Sequence, residues 1–250
     1  MIIHLGKWDL LLIAVVSLQT MLMAYLHAPR WKAFILSLPF PFTTVTLSVG
    51  RPVCASHALG LVVLFIYAMS IWLLHRRLRA PIALAIGLSL LVYCSLGWIG
   101  ARFVPVTVPV FWLASLLTFG LGLGLYLSMP ARQEPGHRTS LPVWQKLPII
   151  VAVILLLVVL KESLQGFASL FPMVGVVGAY ESRHSLWTFS RQIPVLMLTL
   201  IPLMVTSHLT QAWLGLGGSL AAGWLVFLGV LIPFTHRQWA TGPAGNTQEE

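Results

Sequence analysis

Residues 30–51 read RWKAFILSLPFPFTTVTLSVGR, and residues 161–183 read KESLQGFASLFPMVGVVGAYESR. Each stretch opens on a basic residue, runs through mostly apolar residues to a Phe-Pro pair, and closes on charge. Arg30 precedes Pro41 by eleven residues, and Lys161 precedes Pro172 by eleven. At an offset of 131, Phe40-Pro41 falls on Phe171-Pro172 and Ser48 on Ala179, while Arg51 and Arg183 miss by one position. The chain therefore reads as two related halves, each built around a proline-interrupted apolar segment.

The rest of the chain identifies the solvent of those segments. Of the 250 residues, 58% are hydrophobic and 8% are charged, and the mean hydropathy is +0.91. A soluble domain carries roughly 25% charged residues. Nine apolar segments can be marked, at 10–26, 33–49, 57–74, 81–100, 106–129, 147–160, 165–180, 193–207 and 213–234. The bilayer is their expected surrounding, and in lipid each segment must satisfy its own backbone donors, which predicts helices. Nothing alternates with the period of a transmembrane barrel strand. The sixth to eighth segments are short against a hydrocarbon core of roughly 30 Å and must borrow flanking residues. The first segment has one Lys ahead of it but also Asp9, with no small-residue cleavage site behind it, and is read as a retained helix.

The basic residues orient this arrangement. With nine spans, Lys7, Arg51, Arg102 and Lys161 fall on one face and the other eleven of the 15 Lys and Arg on the opposite face. If the two Phe-Pro segments were re-entrant, leaving seven spans, the split would be seven against eight and would orient nothing. Nine spans, with the N-terminus outside and the C-terminus cytoplasmic, is the expectation. Four spans precede the central one and four follow it in the same order, and His75 and His208 end matching spans at an offset of 133. Because the fifth span carries the chain across once more, the second half enters from the opposite side.

The expected fold is all-α, a polytopic membrane protein of about nine transmembrane helices in two inverted four-helix repeats joined by a central helix. The first repeat covers 1–104, the connecting helix 105–130, a cytoplasmic linker 131–146, the second repeat 147–236 and a polar, disordered tail 237–250. Inverted repeats that meet near the midplane are a common plan of secondary transporters.

Proline within a spanning helix frees a carbonyl about four residues earlier and bends the axis. Pro39 and Pro41 remove two donors in three residues, and Thr43, Thr44 and Thr46 or a neighbouring helix are the candidates to satisfy what is freed. Matched breaks in both halves point to a substrate site at Pro41, Thr43, Thr44, Pro172 and Gly175; a packing kink is the plain alternative. Gly175 and Gly178 also permit close helix approach. Arg51 and Arg183 read either as snorkelling anchors or as arginines flanking an anion path, one from each face. Glu162, between two short spans, reads as a titratable acid of a carrier or as half of an interfacial ion pair with Lys161.

Other chemistries lack their residues. His57, His75 and His208 sit at helix ends and are expected to be interfacial, and no two histidines stand at i,i+4. Cys54 and Cys94 form no metal or disulfide pattern. No metal site and no cofactor are expected. No G-x-S-x-G, H-E-x-x-H or paired-acid motif is present, and only four acids precede the tail, so no enzyme is expected. The net charge of +9 lies in the gaps between apolar runs, where it anchors helices; no nucleic-acid partner is expected. His75-Arg76-Arg77-Leu78-Arg79 is a basic cluster suited to anionic lipid headgroups.

The Phe-Pro helix bracketed by basic residues, followed by a third span with the exit HRRLRAP, resembles GlpM-type inner-membrane proteins, small bacterial proteins of about four spans. The resemblance covers each half, the first better than the second, which has Ser207-His208-Leu209-Thr210 at the corresponding exit. It implies a fused pair of such units and no particular activity. The expected function is a secondary carrier or flippase-like transporter of the bacterial inner membrane. Its partners would be membrane lipids and a small anionic or lipid-linked substrate, and homo-oligomers are allowed. The rival expectation is a non-transporting scaffold or accessory protein of an envelope-polymer or lipid pathway.

Overall fold

The computed structural model describes residues 6–130, 132, 134–135 and 142–240, excepting the side chains of Pro29, Arg30, Val143 and residues 237–240. Half of the linker 131–146, the tail from 241 and the Arg30 side chain thus lie outside the described residues. Among the described residues every regular element is helical: α1 (Lys7–Tyr25), α2 (Pro29–Ser37), α3 (Phe40–Val49), α4 (Ala55–Trp72), α5 (Ile82–Phe103), α6 (Val108–Ser128), α7 (Val143–Leu164), α8 (Met173–Glu181) and α9 (Leu186–Ala240). A π-turn (Leu73–Arg77) extends α4, and a 3-10 turn (Gln165–Leu170) leads into α8. Seven helices or stacked helix pairs are long and apolar enough to cross a membrane, so the protein is an all-α membrane protein. Its outer surface agrees, with exposed leucines along α5 and α6 (Leu84, Leu88, Leu91, Leu113, Leu116, Leu117).

The two proline segments depart from the single helices expected at 33–49 and 165–180. Leu38 lies between α2 and α3 in an extended conformation (φ −69°, ψ 125°), and Phe171 does the same ahead of α8 (φ −54°, ψ 131°). Both precede a proline, whose ring excludes the preceding residue from the helical region. The short helix that follows is opened in each case by that proline: the Pro39 carbonyl accepts from Thr43 N–H (3.0 Å) and the Pro172 carbonyl from Val176 N–H (2.8 Å). Pro39 and Pro172, 133 residues apart, thus stand at like positions ahead of short helices, whereas Pro41, set against Pro172 by the sequence, lies inside α3.

The last two expected segments, 193–207 and 213–234, are joined in α9, which bends at Gly215 (φ 65°, ψ 178°). That positive φ is open to glycine and costly for other residues. The two arms run antiparallel: Ser207 Oγ donates to Ser219 O at 3.1 Å, and a Cβ on Gly223 would lie 2.9 Å from Leu203 O. The central α6 packs on the first arm, where a Cβ at Gly122 would lie 2.6 Å from Met197 Cβ; Gly120 and Gly124 face open space.

Chain direction follows from which ends meet. The start of α1, the end of α3 and the end of α7 converge on Asp9, Ser48 and Lys161. The end of α1, the start of α2, the start of α7 and the end of α8 converge on Tyr25, Lys32, Lys146 and Glu181. These two assemblies define opposite ends of the molecule, termed here the first and second face. Helix α4 is the hub between them; its Ala58 and Ala68 carbonyls accept hydroxyls from Thr118 of α6 (3.4 Å) and Ser190 of α9 (3.3 Å).

Candidate functional site

The two breaks, 133 residues apart in the chain, line one cavity. Pro39, Pro41 and Phe42 from the first half meet Ser169, Phe171, Pro172 and Gly175 from the second, across a space of about 60 Å3. That is above the roughly 10–15 Å3 that a single water needs. Its lining is mostly apolar, with Leu64, Phe189 and Leu196 among the walls. One polar group stands out: the Tyr67 hydroxyl, from α4, is buried and has no hydrogen-bond partner among the described residues. Such a hydroxyl costs about 1–3 kcal/mol relative to a paired one.

Carbonyls released at the breaks are taken up by side chains from other helices. Gln19 Nε2, on α1, donates to Ile35 O (2.7 Å) and Leu38 O (3.1 Å). Gln192 Nε2, on α9, donates to the Ser37 hydroxyl oxygen. In the second half Tyr93 OH, on α5, donates to Phe167 O at 2.8 Å, and its ring meets the Phe171 ring edge-on at 5.8 Å. Sequence reasoning missed these three residues. The available signal was a lone amide or phenol in an otherwise apolar segment.

Each face is closed by a buried ion pair that joins the halves or their ends. At the first face Lys161 Nζ donates to Asp9 Oδ1 (2.6 Å) and to Ser48 Oγ (2.8 Å), and the Ser48 hydroxyl also bonds Asp9. The Gly6 N–H donates to the second oxygen of Asp9 at 3.0 Å. At the second face Lys146 Nζ lies 2.8 Å from Glu181 Oε1, and Lys32 Nζ donates to the Glu181 backbone carbonyl at 3.2 Å. Asp9, Lys146 and Glu181 are all buried. The two faces thus use equivalent parts: the start of a lead helix, the end of a broken segment, and a lysine near the entrance of the other half's broken segment.

The residues singled out from sequence separate into two groups. Pro41, Pro172 and Gly175 line the central cavity. Thr43 and Thr44 stand beside it, bonded to carbonyls four residues back, Pro39 O (2.9 Å) and Phe40 O (2.8 Å), with Thr43 also accepting from Trp224 Nε1 (2.8 Å). The threonines therefore serve α3 itself, and Gln19 does the work expected of them at the break. Arg51 and Glu162 lie at the first face and are mostly exposed, 3.8 Å apart. Glu162 pairs with Arg51 in this way, while Lys161 pairs with Asp9. Arg183 lies at the second face over the Tyr180 ring, 5.4 Å from its centre. None of these three reaches the cavity.

The histidines also differ from expectation. His57 is buried, with its Nδ1 accepting from Cys54 N–H at 3.1 Å. The ring of His208 stacks on Phe111 at 4.0 Å, and its Nδ1 lies 3.0 Å from Val53 O. Among the described residues no group of three His, Cys, Asp or Glu could hold a metal ion.

Fold and site together define a polytopic α-helical membrane protein with two proline-broken segments facing each other across a largely apolar cavity. The chain matches no protein-family model, no curated protein and no solved structure.

Proposed function

We propose that the protein is a secondary carrier or flippase-like transporter of nine crossings, in two inverted four-helix repeats joined by α6. The observation that carries this reading is the shared cavity, in which two conformationally alike breaks, Leu38-Pro39 and Phe171-Pro172, oppose each other. Nine crossings follow when the arms of α9 count separately and residues 165–181 count as one. The lead helices α1 and α7 then run in opposite directions, as do the broken segments. Discontinuous helices at a repeat interface are where carriers bind substrate, and a ligand with an acceptor group would give the Tyr67 hydroxyl its missing partner. With Asp9–Lys161 and Lys146–Glu181 both formed, the conformation is one closed at both faces, and transport would open one pair at a time. The greater number of basic residues at the second face supports a cytoplasmic position for that face, in a bacterial inner membrane. The resemblance to GlpM-type proteins fits such a fused pair.

A second reading, a non-transporting scaffold or accessory protein of an envelope-polymer or lipid pathway, draws on the small size and apolar lining of the same cavity. In it the breaks serve packing alone. The two readings separate by labelling Gly175→Cys and Thr43→Cys with an impermeant maleimide from each face in turn, in a chain with Cys54 and Cys94 replaced by Ala. The carrier predicts that position 175 reacts from both faces. Protection from both faces supports the scaffold.

A further inference from the structure

The ion pair at the second face lines a separate cavity of about 330 Å3, walled by Ala83 and Ile86 of α5, Ile149 of α7, and Val176 and Val177 of α8. Its volume is at the lower end of small-molecule sites. Ala83 and Ile149 are exposed, so the cavity opens sideways through the apolar surface of two candidate membrane spans. It lies at the level of headgroups, because Ala83 is the second residue of α5 and Lys146 the fourth of α7.

The polar end of this cavity holds a buried ion pair. Lys146 has three N–H donors, is buried, and lies 2.8 Å from Glu181 Oε1. Its other neighbour is the Tyr25 ring, 5.2 Å from the ring centre, and among the described residues no acceptor besides that carboxylate reaches it. Lys32 brings a second buried ammonium to the Glu181 carbonyl. The N–H donors of Lys146 that the carboxylate does not take would bond an anionic oxygen placed in the cavity.

We propose that this cavity binds one bilayer lipid with an anionic headgroup, its phosphate on Lys146 and its upper chain along Ile86, Ile149 and Val177. The inference needs only that the protein sits in a bilayer, and stands whether or not the protein transports. A soluble anion would satisfy the lysine but leave the apolar walls unused, which is why a lipid is the assigned occupant.

The test is native mass spectrometry of the full chain in an uncharged detergent, titrated with phosphatidylglycerol and with phosphatidylcholine. The wild type should retain one phosphatidylglycerol with a preference of about tenfold over phosphatidylcholine, whose choline cation offsets the charge of its phosphate. The double variant Lys146→Gln/Glu181→Gln, which leaves no lone charge behind, should lose the preference. Ala83→Trp, which blocks the mouth at an exposed position and leaves the ion pair intact, should lose retention of both lipids. Equal retention of the two lipids by the wild type, or a preference that survives in either variant that folds, would overturn the proposal. Competition by glycerol phosphate at concentrations matching the lipid would make this a solute site and overturn the lipid assignment.

Discussion

Leu38 and Phe171 hold the same extended conformation, at ψ 125° and 131°, each one residue ahead of the proline that opens a short helix. Their side of each break faces the other half across one cavity. The equivalence lies in backbone geometry; the side chains differ. This explains why it survives a weak sequence match between the halves.

Pro39 and Pro172 each restrict the unfolded chain and exclude the helical conformation from the residue before. Replacing either by Ala should lower stability by about 1 kcal/mol and let the break relax toward a continuous helix. Insertion should be retained. Pro41→Ala, already inside α3, should cost less. Thermal unfolding of the three purified variants ranks them.

The Asp9–Lys161 pair is buried and bonded to Ser48. Asp9→Asn or Lys161→Gln alone should destabilise by about 3 kcal/mol, because each leaves a desolvated partner. The double variant should cost less than the sum, with a coupling of about 1–3 kcal/mol. Additive losses would mean that the pair does not act as a unit.

Gly122 has no room for a methyl group against Met197, whereas Gly120 faces open space. Gly122→Ala should destabilise by about 1–3 kcal/mol through overpacking of α6 on α9. Gly120→Ala should be neutral or mildly stabilising. Equal effects would contradict the close approach.

Tyr67 carries a buried hydroxyl with no partner among the described residues. Tyr67→Phe should leave the packing intact and raise stability by about 1 kcal/mol in protein without ligand. A clear loss of stability would show that the hydroxyl is bonded in the working protein. A loss of labelling at Gly175→Cys from either face would tie it to opening of the cavity.

The membrane class, the helical content and the position of the breaks were legible because spanning length and proline act locally. Pro41, Pro172 and Gly175 reached the cavity for the same reason. Which proline sits at the break was not legible: Pro39 and Pro41 both fit the pattern, and only backbone conformation distinguishes them. Nor were the ion pairs. Asp9 and Lys161 are 152 residues apart, and Lys161 had a nearer acid in Glu162, so adjacency in the chain gave the wrong partner. Gln19 and Tyr93 act on carbonyls of distant segments and Gln192 on the Ser37 hydroxyl, which no local pattern announces. The segments at 147–160, 193–207 and 213–234 came out longer than their hydrophobic cores, because α7 and the two arms of α9 continue through polar ends that hydropathy discards.

The central claim is that the two halves enter the membrane from opposite sides and bring their breaks together. Topology tests it most directly, with single cysteines at Pro52, Arg102 and Glu162 of the first face and at Arg77 and His184 of the second, in a chain with Cys54 and Cys94 replaced by Ala. The account predicts that an impermeant label added to intact cells modifies positions 52, 102 and 162 and leaves 77 and 184 protected until the membrane is opened. Labelling of position 77 together with protection of 52 and 102 would make the first broken segment re-entrant behind an outside N-terminus, and would contradict both the nine crossings and the inversion.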